Sequence, residues 1–137
     1  MVPYTPGQMF ALVADVNAYD AFLPWCSSSR VLREEAELVE AEVAIAYGRL
    51  HKTFATRNRL QQDKMIEMRL LEGPFRHLEG YWRFDRLGEQ GCKVSLDLEF
   101  EFSSKLVALA MGPVFTQIAN SLVDAFCQRA EQIYGRQ

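Results

Sequence analysis

Cysteine and histidine are scarce in this 137-residue chain, and their scarcity closes off much of the chemistry a small protein can carry. The three cysteines, Cys26, Cys92 and Cys127, are an odd number at wide spacing with no CxxC pair. That excludes a disulfide framework and argues against a cysteine-rich zinc site, so no metal is expected. With only His51 and His77 available as partners, Cys26 is expected to be an inert thiol rather than a nucleophile. No basic segment followed by an apolar run opens the chain, which predicts a protein of the reducing cytoplasm. The longest uninterrupted apolar stretch, 106–115, holds Gly112 and Pro113 and is too short to span a bilayer. Repeats, low-complexity tracts and linkers are also missing, so residues 1–137 are expected to form one domain.

Charge is sparse in one sign over one region. The formal net charge of −3 weighs against a general DNA or RNA binder. From Val43 to Gln62, however, there is no acidic residue, while Arg49, His51, Lys52, Arg57 and Arg59 all fall there. Such a run predicts a wetted strand face, with a basic docking face of Arg49, Arg57 and Arg59 as the functional alternative.

What is present is strict alternation. Between Cys92 and Phe102, Val94, Leu96, Leu98, Phe100 and Phe102 alternate with Lys93, Ser95, Asp97, Glu99 and Glu101. The same parity sets Val39, Ala41, Val43 and Ile45 against Glu40 and Glu42, and Phe54, Thr56, Asn58 and Leu60 against Arg57 and Arg59. Ile66, Met68 and Leu70 likewise oppose Glu67 and Arg69, and Trp82 and Phe84 oppose Arg83 and Asp85. No carboxylate or histidine lands on the inner face of these runs, so that face can hold an apolar molecule but offers little acid, base or metal chemistry.

Helix signals flank the strands. Thr5, Pro6 and Gln8 form a capping box with proline in the first turn, and Asn17 is placed to cap a second short helix that Pro24 stops. Strand breaks are expected at 35–37, 47–48, 61–64, 73–74 and 88–91, giving an antiparallel meander. After Phe102 the period changes to about 3.6 residues. Ser103 or Ser104 caps a long helix whose stripe is Phe115, Ala119, Leu122, Phe126, Ala130 and Ile133. Pro113 is expected to kink or interrupt that helix, leaving Leu106 to Met111 as a semi-independent lid. The layout is α+β: two short helices, a curved antiparallel sheet and a long C-terminal helix laid across it. Whether the space between is a cavity or a packed core is left open by periodicity.

Three blocks carry a family resemblance. Tyr19 to Cys26 (YDAFLPWC), then Gly73-Pro74-Phe75 with Leu78, Gly80, Trp82 and Phe84, then Phe100-Glu101-Phe102 with Ser104, Leu106 and Val114-Phe115, resemble the coenzyme Q-binding (Coq10-like) and ribosome association toxin RatA family. That family lies within the START and polyketide cyclase/dehydrase superfamily, which implies the helix-grip, Bet v 1-like fold. Its members begin with a full strand before the segment matching Val2-Pro3-Tyr4, so the first strand is expected to be truncated here. Pro113 stands where bacterial members carry a basic residue.

The inner face and the resemblance together define a candidate site. Its apolar walls are expected from Val43, Ile45 and Tyr47, from Phe54, Thr56 and Asn58, and from Met68 and Leu70. Trp82, Phe84, Leu96, Leu98, Phe100, Phe115 and Leu122 complete it, with Trp25 at the rim and Phe22 as a plug. Phe75 with Leu106, Leu109 and Met111 would form a gate that touches a membrane. The resemblance implies non-enzymatic carriage of a polyisoprenoid lipid, ubiquinone by preference, with Thr56, Asn58 and Tyr47 as donors to its headgroup. No cofactor is required, and transient contact with the inner membrane is expected. The alternative it implies is binding to the large ribosomal subunit with a block on subunit association. A polyketide cyclase-like enzyme ranks third, because catalysis needs an acid or base inside the pocket.

Overall fold

The computed structural model describes residues 2–135. Helix α1, Pro6–Ala14, begins at the expected capping box. Thr5 Oγ1 accepts from the Gln8 amide at 3.1 Å, and Gln8 Oε1 accepts from the Thr5 amide at 2.9 Å. A 3-10 helix follows at Val16–Ala21. Asn17 does not cap it: its Oδ1 accepts from the Val31 amide at 3.0 Å and ties this turn to the first strand. The strands are β1 Cys26–Glu35, β2 Leu38–Tyr47, β3 Leu50–Gln61, β4 Met65–Glu72, β5 Phe75–Leu87 and β6 Gly91–Phe102, and helix α2 is Lys105–Tyr134.

The strands lie in sequence order in one antiparallel sheet, joined by connections of two or three residues. Period-two burial holds over most of the inner strands and breaks on β3 where Ala55 and Thr56 are both buried at a register shift. On β3, Thr56 and Asn58 are buried while Arg57 and Arg59 are exposed. A register shift between Phe75 and His77 on β5 lets Phe75 and Leu78, three residues apart, both face inward. Before α1, Val2 makes a two-bond bridge to Cys92 at 2.9 and 3.0 Å, which sets the segment ahead of α1 beside β6.

Helix α2 closes the concave face. Ser104 Oγ accepts from the Val107 amide at 3.1 Å, settling which serine caps the helix. Contrary to expectation, Pro113 does not interrupt it; α2 runs as one helix of 30 residues. Met111 and Phe115 on either side of the proline are both buried against the sheet, and this packing holds the helix through one missing hydrogen bond. Length and apolarity alone would let this helix cross a membrane, which the short apolar run 106–115 had argued against. Here Phe115, Ile118, Phe126 and Ala130 are spent on the core, whereas Ile133, expected in the same stripe, is 51% exposed.

Two clusters fill the space under α2. Toward its C-terminal half, Trp82, Phe84, Ile66 and Phe126 pack with Met9, Phe10 and Val13 of α1. Toward its N-terminal half, Phe75, Leu78, Ile45, Met111, Phe115 and Ile118 pack together. Phe126 sits edge-on to Tyr19, Phe22 and Trp82, each at 5.3 Å between centroids.

Candidate functional site: an apolar cavity and a basic end

A cavity of about 80 Å³ lies between the two clusters, enclosed by the sheet and α2. Among the expected wall residues, Trp25, Val43, Ile45, Phe54, Thr56, Asn58, Met68, Trp82, Leu98, Phe115 and Leu122 line it. Trp25 also faces a shallow hollow outside and so occupies the rim. Walls the sequence did not single out are Val16, Tyr19, Leu23, Ala41, Leu78, Ile118, Ala119 and Phe126. The parity signal marked Ala41 and Leu78 as inward, and the helical stripe marked Ala119 and Phe126. For Tyr19 and Leu23 no periodic signal existed, because a 3-10 helix delivers the first and the irregular turn after it the second.

Several expected wall residues lie elsewhere. Tyr47 is 48% exposed, because it stands past Ile45 at the very end of β2, next to the turn. Leu70, Phe75 and Phe100 are consumed in the packing around Phe115, and Phe84 and Leu96 in the packing around α1. The gate is also corrected. Phe75 is buried, stacked on Phe102 at 5.3 Å, and Met111 is completely buried. Only Leu106 and Leu109, at 76% and 79% exposure, remain as surface residues able to touch a membrane or partner.

Among the described residues, no charged side chain lines the cavity. Its hydroxyl and amide side chains are Thr56, Asn58 and Tyr19. The Tyr19 hydroxyl is already committed, donating to the Val13 carbonyl. Asn58 is 7% exposed and its Oδ1 is buried with no hydrogen-bond partner. Such an orphan is costly unless something meets it. Cys26 offers no nucleophile: burial pushes its thiol up, and its Sγ lies 3.3 Å from the Ser28 carbonyl oxygen.

Burial, with smaller contributions from Asp15 and Cys26, raises the Tyr19 phenol far above its ordinary value. An unfolded phenol ionises near pH 10, while the folded one keeps its proton, so stability is complete below that pH and falls as pH rises above it. Urea midpoints measured from pH 8 to 11 are expected to fall less steeply for Tyr19→Phe than for the wild type. Equal slopes would mean that Tyr19 is not responsible for the alkaline loss.

The outer face of the sheet is a charge lattice rather than a basic patch. Arg57 is paired with Glu40 at 2.9 Å, and Arg59 stands opposite Glu67 in the register. Arg30 meets Glu42, Arg69 meets Glu67 and Glu79, and Arg76 meets Glu101. Basic β3 lies between acidic β2 and β4, so strand pairing offsets Arg57 and Arg59, the part of the basic run that lies on the strand face; exposed pairs of this kind add little to stability. His77, Glu79 and Glu99 bring ligand atoms within 4.8 Å of one another on this face, where Glu79 already serves Arg69 and Tyr81.

Basic side chains without ion-pair partners among the described residues collect at one end instead. Strands β2, β4 and β6 all run toward it, and Leu50 of the β2–β3 hairpin packs in the same cluster as Val107 of α2. Arg49, His51 and Lys52 on the hairpin and Lys105 on α2 are exposed there, beside Leu106 and Leu109. None of these four basic groups has an ion-pair partner among the described residues.

Three comparisons bear on this arrangement. Residues 2–127 match the family model described as polyketide cyclase / dehydrase and lipid transport. The ribosome association toxin RatA of Pseudomonas aeruginosa is 51% identical over 135 residues, covering 98% of this chain and 94% of that one. The mitochondrial coenzyme Q-binding protein COQ10 homolog B of Xenopus laevis is 31% identical over 135 residues, 95% of this chain and 55% of that protein. Among solved structures, the Zhui aromatase/cyclase of Streptomyces sp. R1128 superposes with a TM-score of 0.84 over 99% of this chain and 94% of that one, at 18% identity, and shares the fold.

Proposed function

Because the chain belongs to the polyketide cyclase / dehydrase and lipid transport family, and within it to the RatA and COQ10-like group, we propose that it works by binding, as a ribosome-associating protein. The observation that carries this reading is 51% identity to a ribosome association toxin across nearly the full length of both chains. The cavity supports binding over catalysis, since no acid, base or free nucleophile faces it. The large subunit is the expected partner, and occupancy there would hinder subunit joining.

The surface that suits ribosomal RNA is the end bearing Arg49, Lys52 and Lys105, where cationic groups are unpaired. In ribosome co-sedimentation at fixed salt, Arg49→Glu/Lys52→Glu is expected to lose binding by at least about tenfold, as reversal of two phosphate-facing charges predicts. Arg57→Glu/Arg59→Glu should cost less, because Glu40 already neutralises Arg57. Equal loss in both variants would move the contact to the strand face. No co-sedimentation of the wild type would end the ribosomal reading.

A second reading, carriage of an apolar molecule such as a quinone, is favoured by the apolar cavity between sheet and helix. Transient contact with a membrane through Leu106 and Leu109 would serve it. The cavity is about 80 Å³, smaller than the roughly 150 Å³ pocket that takes up benzene, so a ring enters only if wall side chains move.

A further inference from the structure

We propose that the cavity takes a compact neutral group bearing a hydroxyl, of the phenol or hydroquinone class, which bonds to the Asn58 amide. The inference rests on the reading of this cavity as a site for an apolar molecule and deepens it by naming the group that enters. Asn58 is central on β3, opposite Val39 on one side and Met68 on the other, and its buried Oδ1 is unpartnered. An amide offers one acceptor and donors on the same short stem. A hydroxyl satisfies an acceptor by donating and a donor by accepting, whereas a ketone or quinone oxygen can only accept and leaves Oδ1 orphaned. An ionised ligand is disfavoured, because no charge lines the walls.

The existing space is kept open by Gly80, and a ring enters by further movement of the flexible wall side chains. A Cβ at this position would lie 2.8 Å from Met68 Cε and 2.9 Å from Leu98 Cδ1, so these two tips rest on the bare backbone of β5. Both residues are cavity walls, and both contacts are the free ends of flexible chains. Glycine therefore gives the tips a place to lie that does not consume the cavity. With alanine in its place, Met68 and Leu98 would be pushed inward and the space lost.

The test uses phenol and toluene as probes of nearly equal shape. Binding is read by NMR from the methyl groups of Met68 and Leu98 in the full chain. Phenol is expected to shift both methyls of the wild type. In Asn58→Leu, the preference for phenol over toluene should fall by about tenfold or more, as loss of one buried hydrogen bond predicts. The melting temperature should be no lower than in the wild type, because an unpaired buried polar group has been removed. Gly80→Ala should weaken both probes and remain folded. An unchanged phenol-to-toluene ratio in Asn58→Leu would overturn the role of Asn58 while leaving an apolar-molecule site standing. Shifts unaffected by Gly80→Ala would place the probes elsewhere and overturn the proposal. If neither probe binds the wild type, both the proposal and the carriage reading fail together, and the ribosomal reading is untouched.

Discussion

Phe126→Ala is expected to remove about 3–5 kcal/mol of stability, a large part of the total that a domain of this size possesses. The ring is 1% exposed and meets Tyr19, Phe22 and Trp82 edge-on, so its loss forfeits transfer energy, three aromatic contacts and the joint between α2, the 3-10 segment and β5. Because these partners come from rigid elements, the hole cannot collapse cheaply. Urea denaturation followed by tryptophan fluorescence would report the change as a lowered midpoint. Ile133→Ala, four residues before the end of the chain and half exposed, serves as the control and should stay within about 0.5 kcal/mol. A small effect at Phe126 would mean that the cluster around Trp82 repacks far more freely than its geometry allows.

Gly73→Ala should be nearly as damaging, for a different reason. Gly73 has φ 152°, and a Cβ there would lie 2.6 Å from the Cβ of Phe54. Neither atom is a movable tip, so the β4–β5 connection and β3 must part, at a cost of about 2–4 kcal/mol when strain and overpacking are combined. Gly88→Ala separates the two components. Its φ of 66° is also left-handed, but nothing lies within 4 Å of the added carbon, so about 1 kcal/mol of backbone strain is all it should show. Equal losses in the two variants would assign the whole effect at Gly73 to φ and none to Phe54.

Gly73 was conspicuous in the sequence because the pair Gly73-Pro74 punctuates two alternating runs, and the same logic made every strand break legible. Period-two patterning works well here because the sheet has one wet and one dry face. It was also right about the inward parity of Thr56 and Asn58, which line the cavity. The pattern could not say how far along each strand the cavity extends. Leu70, Phe100 and Leu96 share the correct face, but α2 and α1 press on them directly. Burial of Met111 and Phe75 was hidden for a related reason: lid and gate were inferred from Pro113 and from a turn, whereas packing against the sheet holds both residues in the core. The basic run of β3 gave the wetted face that was expected, but its charge balance was hidden, since charge on one strand has meaning only once its neighbours are known. Glu40 and Glu67, distant in sequence, stand beside Arg57 and Arg59 in the register.

The order of elements also sets a timetable for the newborn chain. All six strands precede α2, whose 30 residues supply the cover for their apolar side. Tyr134 at the last turn of α2 donates to the Gln8 carbonyl at 3.0 Å, so α1 gains this tether only when that turn has formed. Hairpins assemble in microseconds, but translation at about 5–20 residues per second needs roughly two to six seconds to deliver such a helix. Throughout that interval the nascent sheet carries a bare hydrophobic face beside the exit tunnel. Its exposure is governed by elongation speed, so slower decoding of the α2 codons lengthens the window for aggregation or chaperone capture.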